Sequence, residues 1–143
     1  MTVKTILSTK GNNVVTIEPT ATLEQAIAML AQHRIGALVV TGAERCVIGI
    51  LSERDVVRAM WTRGAAAFKE PLSQTMTREV VICVETDAIN DIMERMSDGR
   101  FRHIPVVAQN RLVGIVSIGD VVKQRLSEMQ SESEALRDYI QTA

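Results

Sequence analysis

Two phrases in this chain each close a short apolar run with a serine and, three residues on, an aspartate. Gly49-Ile-Leu-Ser52-Glu-Arg54-Asp55-Val-Val57 returns 65 residues later as Gly114-Ile-Val-Ser117-Ile-Gly119-Asp120-Val-Val122, identical at six of nine positions. A serine that opens a helix stands among free N–H groups and a partial positive charge, a natural seat for phosphate. A carboxylate one turn in can accept two hydrogen bonds from a ribose diol. The Ser hydroxyls and the Gly119 amide can approach a phosphate closely, and Arg54 would add charge-assisted contacts. Stability alone could also keep both pairs. Ser-x-x-Asp is a capping pattern, in which the serine accepts from the amide three residues on and the acid suits the helix dipole.

The elements that must position these pairs are legible from periodicity. Val14 to Ile17 reads as a strand that Pro19 and Thr20 break. Thr22-x-x-Gln25 is a capping box, and Leu23, Ala26, Ile27 and Leu30 follow it on one helical face. Gly36 is expected to end that helix. Ala37 to Val40 is a strand, Gly42 to Glu44 a turn, Val47 to Leu51 a strand. Ser52 opens a helix to about Arg63, where Gly64 can stop it. The order then repeats: a strand over Val80 to Val84, and a helix capped by Asp87 and carrying Ile89, Ile92, Met93 and Met96. Next come a strand over Ile104 to Val107, a turn at Gln109-Asn110, a strand over Leu112 to Val116 and a helix from Ser117. Each unit is strand, helix, strand, strand, helix. The bounds are 4–63 for the first repeat, 64–73 for a connector, 74–127 for the second repeat and 128–143 for a C-terminal helical extension.

The chain's 143 residues, 46% hydrophobic and 23% charged, can hold one domain with a real core. Repeats of about 60 residues are marginal alone and should share it. With four aromatic residues in all, that core must be aliphatic and filled by methionine. A net charge of −1 gives no electrostatic drive toward nucleic acid or an anionic membrane. Cys46 and Cys83 form no disulfide framework and no metal spacing. With no signal peptide or long apolar run, a soluble protein of a reducing, cytoplasmic compartment is expected.

Other residues have bland and functional readings. His33 lies at a helix end, reads as a solvated cap and has no partner at metal-ligand spacing. His103, beside Arg102, is either a phosphate contact or an edge-strand residue. Trp61 follows the second helix face and is expected in the core rather than as a stacking platform. Cys46 sits at a turn beside Arg45, which could lower its pKa, yet no resolving cysteine or histidine base stands near it in sequence. Cys83 is expected in the core. Val122, Leu126, Met129, Leu136 and Ile140 keep a 4-3 spacing with Ser133 in the missing slot. Such a seam packs on a second chain or folds back on its own domain.

These residues carry a resemblance. The Gly-h-h-Ser-x-x-Asp endings (h apolar), the strands Ala37-Leu-Val-Val40 and His103-Ile-Pro-Val-Val107, and the Pro-x-x-Thr/Asp helix entries resemble a pair of CBS (cystathionine β-synthase type) domains, a Bateman module. Ser-Glu-Arg-Asp in the first repeat, with Arg-His-Ile-Pro-Val and Ser-Ile-Gly-Asp in the second, is similar to its small stand-alone members. The resemblance implies an α+β fold of two β-α-β-β-α repeats stacked about a pseudo-twofold axis, with two clefts between them. It implies adenosyl ligands: AMP, ADP, ATP, S-adenosylmethionine or NAD. Carried over, one cleft would hold Lys10, Asn13, Ile35, Gly36, Ser117, Gly119 and Asp120. The other would hold Val81, Phe101, Arg102, His103, Ser52, Arg54 and Asp55. The two aspartates would take ribose hydroxyls. The family also implies a homodimer in which two modules form a flat disc.

The clefts are unequal. Arg54, Arg102 and His103 cluster in one, enough charge to neutralise a phosphate. The other has Gly119 and Gly36 in their place, and Lys10 as its cation. Such a basic pocket suits AMP or NAD(H), with ADP and ATP open, better than the cationic S-adenosylmethionine. Nothing supplies a nucleophile, base and orienting group together, so the expected function is a non-enzymatic adenine-nucleotide sensor that signals to a separate effector. Two rivals stay open: a ligand-independent assembly module, and a redox-linked regulator using Cys46.

Overall fold

The computed structural model of the chain describes residues 1–142. Helix α1 (Val3–Lys10) leads into β1 (Thr16–Ile17), α2 (Leu23–His33), β2 (Ala37–Thr41), β3 (Val47–Ser52) and α3 (Glu53–Arg63). Short 3-10 turns carry the chain to α4 (Ile89–Gly99), β4 (His103–Ala108), β5 (Arg111–Ser117) and the long α5 (Ile118–Thr142). The architecture is α+β. The first sheet has the order β1-β2-β3, with β1 parallel to β2 and β3 antiparallel to it; the second pairs β4 with β5, antiparallel.

The start of α2 is the capping box the residues announce: the Thr22 hydroxyl accepts from the Gln25 amide and the Gln25 side chain from the Thr22 amide. The helix stops earlier than Gly36. Arg34 takes the left-handed conformation (φ 53°) at its end, and Arg100 (φ 56°) does the same after α4. A backbone bond from the Ile35 amide to the Leu30 carbonyl closes the turn, so a glycine is not required there.

Two other expectations change. Val80 to Val84 is not a strand; Cys83 alone pairs, in one parallel bridge with Val106. Its amide donates to the Pro105 carbonyl and its own carbonyl accepts from Val107. The next rung toward Val81 needs an N–H on residue 105, which proline lacks. Asp87 does not cap α4. Its Oδ2 accepts from the Val84 amide at 2.9 Å and from Arg95 at 3.3 Å, bracing the preceding loop, and Ala88 stands at the cap.

Helix α1, which the sequence reading does not anticipate, shows how the repeats interlock. Its Val3, Ile6 and Leu7 join the core of the second repeat with Ile92, Ile104 and Val116. Conversely Ala67 and Leu72 of the connector and Met76 at the start of the second repeat join the first core with Leu23, Leu38 and Leu51. Each unit is thus closed by the segment that leads into the other. The repeated glycines mark the crossings. A Cβ on Gly49 would lie 2.5 Å from the Met76 sulfur, and one on Gly114 would lie 2.7 Å from Leu7 Cδ2. Trp61 is not in either core: it is 89% exposed, on the face of α3 that points away from the sheet.

Candidate functional site

Both Ser-x-x-Asp pairs form reciprocal caps at the strand-to-helix junctions. Ser52 Oγ accepts from the Asp55 amide at 3.3 Å, and Asp55 Oδ2 accepts from the Ser52 amide at 2.9 Å. Ser117 and Asp120 repeat this at 3.1 and 2.9 Å. The capping role is therefore real, and it also aims each carboxylate at the space beside the sheet edge.

At α3 that space is a cleft of about 510 Å³, within the range of small-molecule sites. Val81, Phe101, Arg102, His103, Ser52, Arg54 and Asp55 all line it, so the structure brings that expected set together. The first repeat contributes the end of β3 and the start of α3; the second contributes the approach to Cys83 and the residues between α4 and β4. Arg58, Thr77, Glu79 and Arg100 also line the cleft, and sequence reasoning passed over them. Arg58 was within reach of it, one turn beyond Arg54 on the same helical face. Thr77 was not, because only the crossover of Met76 beneath Gly49 brings it to Ile50, with which it exchanges two backbone bonds at 2.9 and 3.0 Å. Its hydroxyl lies 3.4 Å from Asp55 Oδ1. Arg54 Nη1 donates to the Arg100 carbonyl at 3.0 Å, which ties the two repeats across the cleft rim.

His103 stands on the cleft wall beside Gly36, and its ring explains that glycine, where a Cβ would come within 3.2 Å of His103 Cε1. Burial chiefly, then the charges of Lys10 and Arg102, hold its pKa below the ordinary value of 6.5, against the opposing pull of Glu53 and Asp120. The ring therefore favours its neutral form.

The other expected set is arranged differently. The Lys10 ammonium, carried in by α1, donates to Asp120 Oδ2 at 2.6 Å and to the Ile115 carbonyl at 3.0 Å. Burial works against the charged carboxylate of Asp120, but the bonds from Lys10 and Ser117 outweigh it and lower its pKa. Lys10, Ser117 and Asp120 are thus one hydrogen-bonded group, with Gly119 in the first turn of α5 beside Ser117. Gly36 lines the α3 cleft instead. Ile35 packs against the first core and Asn13 is exposed; among the described residues no side-chain hydrogen bond joins either to Asp120.

Of the remaining candidates, His33 ends α2 exposed, and among the described residues no group of three or more His, Cys, Asp or Glu side chains could hold a metal ion. Cys46 is exposed at the β2–β3 turn, and Arg45 directs its Nε to the Leu112 carbonyl. Cys83 is buried, and burial together with the nearby Asp87 pushes its thiol up to about 12 in spite of Arg95. Among the described residues no helix is long and apolar enough to cross a membrane.

The pattern of the CBS domain matches residues 3–62 and again 72–127. The mitochondrial CBS domain-containing protein CBSX3 of Arabidopsis thaliana is 36% identical over 125 residues, which are 84% of this chain and 60% of that protein's length. The crystal structure of the CBS-domain containing protein ATU1752 from Agrobacterium tumefaciens superimposes with a TM-score of 0.84 at 46% identity, over 87% of this chain and 99% of that one. Two similar structures hold adenosyl ligands. The CBS domain protein PAE2072 from Pyrobaculum aerophilum is complexed with AMP (26% identity, TM-score 0.74, 84% of this chain and 89% of that one). The CBS domain pair of protein MJ0100 is complexed with 5′-methylthioadenosine and S-adenosyl-L-methionine (26% identity, TM-score 0.76, 87% and 98%). A family pattern matched twice over most of the chain, together with a fold shared with these structures, leaves one conclusion: the chain belongs to the CBS domain family, as a pair of CBS domains.

Proposed function

We propose that this module is a sensor of an adenine nucleotide, bound in the cleft at α3. The observation that carries the reading is the asymmetry of the two junctions. Asp120 already has a cation at 2.6 Å, whereas Asp55 faces a cleft of about 510 Å³ rimmed by Arg54, Arg58, Arg100 and Arg102. In that cleft Asp55 Oδ1 would accept from the ribose diol. The helix start and the arginines would hold phosphate, and Val81 and Phe101 would flank the base. AMP, which the Pyrobaculum relative holds, fits this chemistry. ADP, ATP and NAD(H) share its adenosine and its negative charge, which suits a lining of four arginines against the three carboxylates of Glu53, Asp55 and Glu79 better than the cationic sulfonium of S-adenosylmethionine does.

The activity is binding, and its output runs to a separate effector. Because ligand would bridge residues of both repeats across the Arg54–Arg100 tie, occupancy shifts the packing of one repeat against the other. Two copies would associate through the outward faces of α3 and α5, where Val57, Trp61, Val122 and Leu126 are 45–89% exposed. That apolar face also supports the rival reading of a ligand-independent assembly module. The two free thiols, one of them exposed, suit a reducing compartment such as the cytoplasm. Isothermal titration with AMP, ATP, NAD, NADH and S-adenosylmethionine decides between the readings. Micromolar binding of an anionic nucleotide that is lost in Asp55→Asn and kept in Asp120→Asn is the expected result. No binding to any of the five sinks the sensor.

A further inference from the structure

The last part of α5 has no contact that explains it. Every residue from Met129 to Thr142 is exposed, and a free helix of that length is marginal in water. It is nevertheless apolar along one line. Val122, Leu126, Met129, Leu136 and Ile140 are 45–66% exposed and fall at alternating intervals of four and three residues, with Ser133 completing the series. The opposite side of the helix is the one turned to the protein body: Gln124, Arg125 and Glu128 face Met1 and the start of α4. The seam therefore points outward.

Heptad positions follow from the spacing. Leu126, Ser133 and Ile140 occupy a, and Val122, Met129 and Leu136 occupy d. Only the last heptad has the β-branched Ile at a (Ile140) and Leu at d (Leu136) that suit two strands, and Ser133, the one polar residue at a, fixes register at some loss of stability. The flanking charges decide direction. In a parallel pair each g residue meets the e residue five positions on in its partner, which sets Glu132 against Arg137 twice and Arg125 against the neutral Gln130. In an antiparallel pair with the same layers, Lys123 would face Arg137 and Glu132 would face its own copy, both repulsive.

We propose that residues 122–140 form a parallel two-stranded coiled coil with a second copy of this chain. Its twofold axis runs along α5, so each repeat faces its own counterpart across the dimer. The inference does not depend on which ligand is bound. It builds on the association of two copies through α3 and α5, and gives it an orientation.

The test combines sedimentation with cross-linking of the full chain. In a Cys46→Ser background, Ser133→Cys is oxidised with diamide, alone and mixed with Met129→Cys. Covalent dimer from Ser133→Cys alone is expected, because a positions meet their own copies only in the parallel pair. Covalent dimer formed only in the mixture would mean antiparallel helices and overturns the proposal. Sedimentation equilibrium of Leu136→Glu with Ile140→Glu is expected to show a dimer dissociation constant raised by about tenfold or more. An unchanged dissociation constant removes the extension from the interface and leaves the α3 association standing. A wild-type chain that is monomeric throughout overturns both.

Discussion

Lys10 is near enough to His103 to lower its pKa, and each makes a pH-dependent difference between the two junctions. The Asp120 carboxyl lies below its ordinary value of 3.8 in the folded state, so the folded protein binds fewer protons than the unfolded chain as pH falls. The latch is therefore fully present above that value and is lost as pH drops through the folded one. Unfolding titrations between about pH 5 and pH 3 should show a steep loss in the wild type and a shallower one in Lys10→Met. At neutral pH the same substitution should cost about 1 kcal/mol. His103 runs the other way on binding. It is held neutral in the free protein, and a phosphate beside it would favour the proton. Nucleotide affinity should rise as pH falls from about 7.5 to 6.5. In His103→Gln the pH dependence should be flat, as measured by calorimetry in matched buffers.

Among the elements, strand-to-helix junctions were legible from sequence because their determinants are local. Thr22-x-x-Gln25 and the two Ser-x-x-Asp pairs each satisfy helix amides within one turn, and each formed as read. The segment around Cys83 was misread because its strand character depends on a partner. Val80 to Val84 is apolar enough for a strand, but Pro105 on the neighbouring strand removes the rung that would extend it. Helix α1 carried a short signal, Val3, Ile6 and Leu7 at helical spacing, yet it is held by the second repeat rather than by neighbours in sequence. The interlocking predicts an unequal pair of glycine variants. Gly114→Ala forces a methyl against branched Leu7 and should cost about 1–3 kcal/mol. Gly49→Ala meets the flexible side chain of Met76 and should cost less. Urea midpoints of the two variants, with Leu7→Ala added to Gly114→Ala as a partial rescue, check this.

The proposed ligand and the proposed second copy each have a consequence for the whole molecule. If AMP occupies the α3 cleft, then at about one hundred times its dissociation constant it should add about 2.7 kcal/mol to the stability of the folded state. The rise in Tm should vanish in Asp55→Asn and persist in Lys10→Met. Trp61→Glu should leave stability within about 0.5 kcal/mol, because that side chain touches neither core, while moving sedimentation toward monomer. What the sequence by itself determined was the repeat and the three reciprocal caps at Thr22, Ser52 and Ser117, because each is written in a spacing shorter than a helical turn or in one long-range copy. What only the tertiary structure decided was which residues meet. Lys10 reaches Asp120 because α1 packs on the opposite repeat, and Thr77 reaches Asp55 because Met76 crosses under Gly49. Trp61, on a helix whose periodicity does not distinguish core from outer face, points to solvent because the sheet lies on the other side. Contacts between residues 110 and 22 apart in the chain depend on how two similar cores stack, and local periodicity holds no record of that.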